Sequence, residues 1–353
     1  MAISNNKRVD QLLRAMKQSL PGVNDEHSLY DLLKPALSFK GPIRYNNRWP
    51  WLMTVAGLVV LAILWLLDSS KLTGLPDSLL NGLNWLLSPL YRLPLGPWSP
   101  FLLLTGIGVW QLLSRYQRLQ GLADAIWRKN LLLDNQLQEI PCQPEAKARE
   151  FARSFYEFNR GNHKRSIDWL CQGHYQGTEH QFDYQLFDFH YVDKHTTTTT
   201  DSKGRKHTHT TYRHYHRYGV ILSFGFTQDL NILGYSNSGQ TGVKWEPASL
   251  DFRKQFKVLA GSEMIASKFF KPTVVEQLQQ LGQKLRQTNL EFNRQGILCL
   301  TVADSDFANV PRPVGLEDAE AFLTVLKQQT KLPKLTLALH CVHQLMVYTD
   351  SNF

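Results

Sequence analysis

Residues 49–67 (WPWLMTVAGLVVLAILWLL) form an apolar run without a single charged side chain. At about 1.5 Å per helical residue, a run of this length matches the roughly 30 Å hydrocarbon core of a bilayer. It therefore reads as a membrane-spanning helix. The run follows 48 mostly polar residues, which argues against a cleaved signal peptide. A second uncharged run, residues 97–114, carries Pro100, Gly106 and Gly108, which spanning helices tolerate better than soluble ones. Together the two runs (49–67 and 97–114) predict a transmembrane hairpin over residues 49–114.

The flanking charges orient this hairpin. Lys34, Lys40, Arg44 and Arg48 precede the first run, and Arg115, Arg118, Arg128 and Lys129 follow the second. Only Lys71 and Arg92 lie between them. Short cytoplasmic flanks carry the Lys/Arg excess, so both termini are expected in the cytoplasm and the chain in the inner (plasma) membrane as a multi-pass protein. Residues 78–92, with Leu79, Leu80, Leu83, Trp85 and Leu86, suit an amphipathic segment lying in the interface. The alternative is that residues 79–95 belong to a longer second span.

Most of the chain is not membrane, since its mean hydropathy is −0.30. Four cysteines (Cys142, Cys171, Cys299 and Cys341) show no CxxC spacing, which favours free thiols over disulfides or a zinc site. A net charge of +9 suits a face held near an anionic leaflet, and that reading is preferred to nucleic acid.

Helical spacing of Val9, Leu12, Leu13 and Met16 predicts an amphipathic helix in the N-terminal segment 1–48, and Leu29, Leu32, Leu33 and Leu37 predict a second. The second span continues as a helical stalk within 115–160, broken by Pro141 and Pro144, with a further helix over 145–158. From Ser166 the period changes to that of strands. A cytoplasmic α+β domain is expected over 161–353, with a long Thr/His-rich β-hairpin over 186–224 whose tip lies at 201–204. If Thr200 stands opposite Gly204, His195 faces His209. A helix led by Pro272, a hairpin over 290–302 and two closing helices complete the domain.

Three landmarks follow one another: residues 155–161 (FYEFNRG), 173–177 (GHYQG) and 187–191 (FDFHY). With them, residues 150–302 resemble the soluble domain of uncharacterised bacterial membrane proteins. The resemblance implies transmembrane spans beside a cytoplasmic α+β domain of unknown function, and it supplies no catalytic residues.

The hairpin concentrates the candidate chemistry. Lys194, Lys203, Arg205, Lys206, Arg213 and Arg217, interleaved with Tyr212, Tyr215 and Tyr218, form a basic ribbon suited to an anionic membrane surface or protein partner. Among its histidines, His195, His207 and His209 are weak candidates for a metal. His207 and His209 share one strand face while His214 and His216 share the other, so all four converge only around a bulge. Cys341 lies on an apolar helix beside His340, where adjacent residues point about 100° apart and seldom act as a pair. There is no GxSxG, phosphate loop, HExxH or GxGxxG. The reading is a membrane-tethered interaction or scaffold module with no catalytic residue and no cofactor assigned. The alternative is a membrane-bound hydrolase or metal-dependent enzyme with its site near residues 187–191. The partner's identity and the oligomeric state stay open.

Overall fold

The computed structural model describes residues 4–68, 82, 95–200, 205–236 and 238–350. Apart from Gly82, the expected interfacial segment 78–92 lies outside the described residues, as does the arm tip 201–204 with Lys203. Among the described residues the helices are α1 (Asn5–Ser19), α2 (Glu26–Leu37), α3 (Arg48–Asp68), α4 (Ser99–Asp134) and α5 (Pro144–Ala152). After them come α6 (Leu250–Gln255), α7 (Glu263–Phe269), α8 (Pro272–Lys284), α9 (Ala319–Leu326) and α10 (Pro333–Thr349). The chain divides into two compact units, one of residues 1–127 with 312–328, the other of 128–311 with 329–353.

In the first unit, α1 buries Val9, Leu12, Leu13 and Met16, the face its spacing dictates. A capping box opens α2: the Asp25 carboxylate accepts from Ser28 N at 2.8 Å, and the Ser28 hydroxyl faces the Asp25 amide. Of the described helices only α3, over Arg48–Leu66, is long and apolar enough by length and composition to cross a membrane. It runs antiparallel to the start of α4 at close range. A Cβ on Gly57 would collide with Thr105 Oγ1, and one on Gly108 would collide with Thr54 Oγ1 and the Pro50 carbonyl. Glycine at both points lets the two backbones approach. The outward side chains are large and apolar: Leu52, Val55 and Leu58 on α3, Leu102, Leu103 and Trp110 on α4 are all exposed.

The helix α4 runs without a break to Asp134, and the prolines do not end it. Gln136 adopts a left-handed conformation (φ 53°), while Leu137 N reaches back to Leu132 O at 2.8 Å. This is a helix-terminating turn built on a non-glycine residue.

The second unit is an α+β fold around a nine-stranded, wholly antiparallel sheet. Its strands are β1 (Gln138–Glu139), β2 (Arg165–Gln176), β3 (Gln181–Thr200), β4 (Lys206–Ser223) and β5 (Leu230–Leu233), then β6 (Val243–Trp245), β7 (Lys257–Ala260), β8 (Asn289–Phe292) and β9 (Ile297–Val302). Their spatial order is β1-β2-β3-β4-β9-β8-β5-β7-β6. Alternation divides the side chains between two cores. One face places Tyr184, Leu186, Val220 and Leu222 against α6, α7, α8 and α10. The other places Phe187, Phe189 and Tyr191 against α5 and the 3₁₀ turn Tyr156–Asn159.

The helix expected over 145–158 stops at Ala152. The Glu291 carboxylate on β8 accepts the amides of Tyr156 and Glu157 at 2.8 and 2.9 Å, so those residues turn away from an α-helical ladder. In the hairpin, Thr200 pairs with Lys206, and His195 faces Thr211 while His209 faces Thr197. The register thus differs by two residues from the one that would place His195 against His209. An even offset leaves every side chain on its expected face.

Candidate functional site

Strands β3 and β4 pair from Tyr184↔Leu222 to Thr200↔Lys206, well past the end of the core. Every described residue from Lys194 to Thr200 and from Arg205 to His214 is exposed. Lys194, Arg205, Lys206 and Arg213 lie on this distal arm. Arg217 does not. It is 1% exposed, and its inclusion in a surface ribbon is corrected by the structure. Arg217 shares the strand face that packs beneath the turn Tyr156–Asn159, where its guanidinium meets Glu157 and lies 5.2 Å above the Tyr235 ring. The histidines His195, His207 and His209 are exposed on the arm, opposite Thr211, Thr199 and Thr197, and converge on no common point.

Beneath the arm's root, a charged network lies wholly inside the protein. Glu157 Oε1 accepts from Arg160 Nε and Arg217 Nε, each at 2.7 Å. Its Oε2 accepts from Asn289 Nδ2 at 2.9 Å and from Arg160 Nη2 at 3.0 Å. Burial opposes a charge here, but the two guanidiniums prevail and hold the Glu157 carboxyl below the usual carboxylate range. Arg217 Nη2 also donates to Gln287 O at 2.8 Å and to Thr301 Oγ1 at 3.1 Å. Glu291 is the second buried carboxylate. Burial and the charge of Glu157 push it up to about 7, against the donors Tyr156 N, Gln240 Nε2 and Glu157 N. It borders a cavity of about 520 Å³ whose lining includes the Arg294–Asp229 ion pair at 3.2 Å. Two neighbouring carboxylates with opposed shifts resemble an acid/base pair, but the fully paired Glu157 serves to hold Arg217 and Arg160.

On the opposite face of the same strands, the apolar row Leu186/Val220 gives way to Asp188, His190, His214, His216 and Tyr218. His190 pairs with His216 across the strands, and their rings stack at 4.6 Å. His216 Nδ1 contacts Asp188 Oδ1 at 2.9 Å, and His190 Nε2 contacts His214 Nδ1 at 2.9 Å. Asp168 joins them from β2, its Oδ2 3.7 Å from His190 Nδ1. It sits at a bulge between Ile167 and Trp169, where β2 sets two residues against Asp188. Trp169 enters the core, and Asp168 leans toward the histidines with its Oδ1 accepting from Ser166 Oγ at 2.6 Å. Burial is the main force lowering the His190 pKa, with its neighbours His216 and His214 adding to it against Asp168. One ligand atom from each of Asp168, His190 and His216 lies within 4.8 Å of the others.

Cys341 is buried in the core of α10, where burial pushes its thiol up to about 12. Asp304 and Asp306 share Lys334, at 2.6 and 2.8 Å.

Comparison with known proteins finds no matching family model, no similar curated sequence and no similar solved structure.

Sequence reasoning missed Asp168, Glu157 and Glu291, and it offered His195, His207 and His209 for a metal rather than His190 and His216. The i,i+2 pairs Asp188/His190 and His214/His216 were a usable signal for a shared face. Nothing local marks the bulge at Asp168, or the inward turn of Arg217.

Proposed function

We propose that the chain is a membrane-tethered module that presents a cationic β-arm to an anionic membrane surface on the cytoplasmic side. In this reading α3 and the apolar first part of α4 form a two-span anchor. The glycine-mediated helix contact, the exposed apolar side chains and the Lys/Arg excess outside the hairpin support it. One observation carries the role of the arm. Lys194, Arg205, Lys206 and Arg213 are exposed on a ribbon whose acidic residues are Asp193, opposite Arg213, and Asp201. Each cation near an anionic leaflet contributes about 1 kcal/mol. Screening confines that attraction to roughly 8 Å at physiological ionic strength.

The test uses the full chain in lipid nanodiscs and follows tryptic cleavage at the arm's Lys and Arg residues. Cleavage is expected to be slower in anionic than in neutral nanodiscs at low salt, and equal in both at high salt. Replacing Lys194, Arg205, Lys206 and Arg213 with Ser should abolish retention by anionic vesicles, whereas His207→Ala with His209→Ala should not. Equal cleavage in both nanodiscs at low salt would sink the proposal.

A further inference from the structure

The side chains Asp168, His190 and His216 come from three adjacent strands at the root of the arm, each with a ligand atom within 4.8 Å of the other two. We infer that they bind a divalent transition-metal ion of the zinc class. The inference does not depend on the membrane reading.

Each of the three is held by a partner. Ser166 Oγ donates to Asp168 Oδ1 at 2.6 Å, His214 Nδ1 engages His190 Nε2 at 2.9 Å, and Asp188 Oδ1 engages His216 Nδ1 at 2.9 Å. A carboxylate against the other ring nitrogen, as Asp188 is to His216, orients metal-binding histidines and fixes their tautomers. With Nε2 of His190 engaged, its Nδ1 faces Asp168 Oδ2 at 3.7 Å, the width that an ion would bridge. Zinc binds nitrogen and carboxylate oxygen at about 2.0–2.2 Å, so tetrahedral ligand atoms stand about 3.4 Å apart. Binding would draw the ligand atoms closer than they lie here and would require the stacked His190 and His216 rings to turn toward the ion.

The bulge gives the cluster its carboxylate. In an unbroken β2 one residue would oppose Asp188; the bulge provides both Trp169 for the core and Asp168 for the histidines. Bulges commonly re-aim a side chain in this way. Two imidazoles and one carboxylate, without thiolate, suit Zn²⁺, Co²⁺, Ni²⁺ or Cu²⁺ and poorly match the all-oxygen shell of Ca²⁺ or Mg²⁺. Three protein ligands leave a fourth position for water. An ion here clamps β2, β3 and β4 together where the arm leaves the core. The arm histidines His207 and His209 occupy the other strand face and take no part.

The experiment titrates the chelator-stripped full chain, in neutral detergent, with Co²⁺ alone, followed by displacement with Zn²⁺. One equivalent should bind with visible ligand-field bands that Zn²⁺ removes. His190→Ala and His216→Ala should each weaken binding at least tenfold, and Asp168→Asn, on the exposed bulge, should do so without disturbing the fold. Zn²⁺ should raise the melting temperature of the unaltered chain and leave that of the Asp168→Asn chain unmoved, which keeps the test decisive if a histidine variant fails to fold. His207→Ala with His209→Ala should bind as the unaltered chain does. Absence of saturable Co²⁺ binding, retention of full affinity by the His190→Ala/His216→Ala double variant, or loss through the arm histidines overturns the inference.

Discussion

Arg213 and Arg217 lie four residues apart on one strand and on the same face, yet they inhabit opposite worlds. The first is exposed opposite Asp193, and the second is 1% exposed between Glu157, Thr301 and the Tyr235 ring. Neither residue type nor strand parity separates them. What does is the turn Tyr156–Asn159, which reaches the root of β4 and stops. The root is specified by many mutually dependent contacts. Asn162 still holds the Lys194 backbone and His163 meets the Tyr212 ring, but farther out the arm is specified mainly by its backbone ladder, with side-chain contacts as slight as Thr196 Oγ1···Thr210 Oγ1 at 3.4 Å.

The sharpest test of this contrast is Arg217→Ala. It leaves Glu157 buried with one partner fewer, and breaking a buried pair from one side costs about 3–5 kcal/mol. Arg213→Ala should stay within about 0.5 kcal/mol, as exposed substitutions do. Parallel denaturant titrations measure both, and a large cost at Arg213 would break the comparison.

A pH series addresses the network from its other carboxylate. Glu291 titrates near 7 in the folded chain against 4.5 in the reference state. Between those values the folded chain holds more protons than the unfolded one, so this group's contribution to stability falls as pH rises and levels off above 7. The full span amounts to roughly 3 kcal/mol. Glu291→Gln should flatten the melting-temperature profile between about pH 5 and pH 8, with an unchanged slope counting against the assignment.

Next in size is Gly219→Ala. A Cβ there would collide with the Leu300 carbonyl and lie 2.8 Å from the Phe187 ring, and the obstruction includes backbone. Overpacking of this kind costs about 1–3 kcal/mol. The smallest effect belongs to the arm. Replacing residues 196–210 with a short Gly-containing turn should move stability by less than about 0.5 kcal/mol, measured as an unchanged melting temperature. Collapse of the fold would show that the distal arm supports the root.

The parts of the fold legible in the sequence are those governed by local period. The apolar faces of α1, α2 and α8, the length of α3 and the β8–β9 hairpin follow from spacing alone. The rest depends on partners distant in sequence. The end of α5 is decided by Glu291, whose contact with Tyr156 spans 135 residues. The inward turn of Arg217 needs Glu157, 60 residues earlier. The end of α4 turns on Gln136 taking a conformation usually reserved for glycine, so the two prolines were a false signal. Of the Asp168, His190 and His216 cluster, the i,i+2 alternation of the histidine-bearing strands was visible as a pattern, while Asp168 depends on an irregularity that no local composition announces.

The uniformity of Thr196–Thr200 has a consequence for how this arm can change. Each strand residue adds about 3.3 Å of length. Inserting one residue in each strand near the tip would turn every more distant side chain to the other face, moving His207, His209 and the flanking cations together. Inserting two in each keeps all faces and lengthens the arm by about 6.6 Å. The five threonines are interchangeable neighbours, so such a step leaves the character of the strand unchanged. Reach is therefore a quantity this chain can adjust in double-residue increments, by duplication of a short repeat, while the packed root beneath it stays as it is.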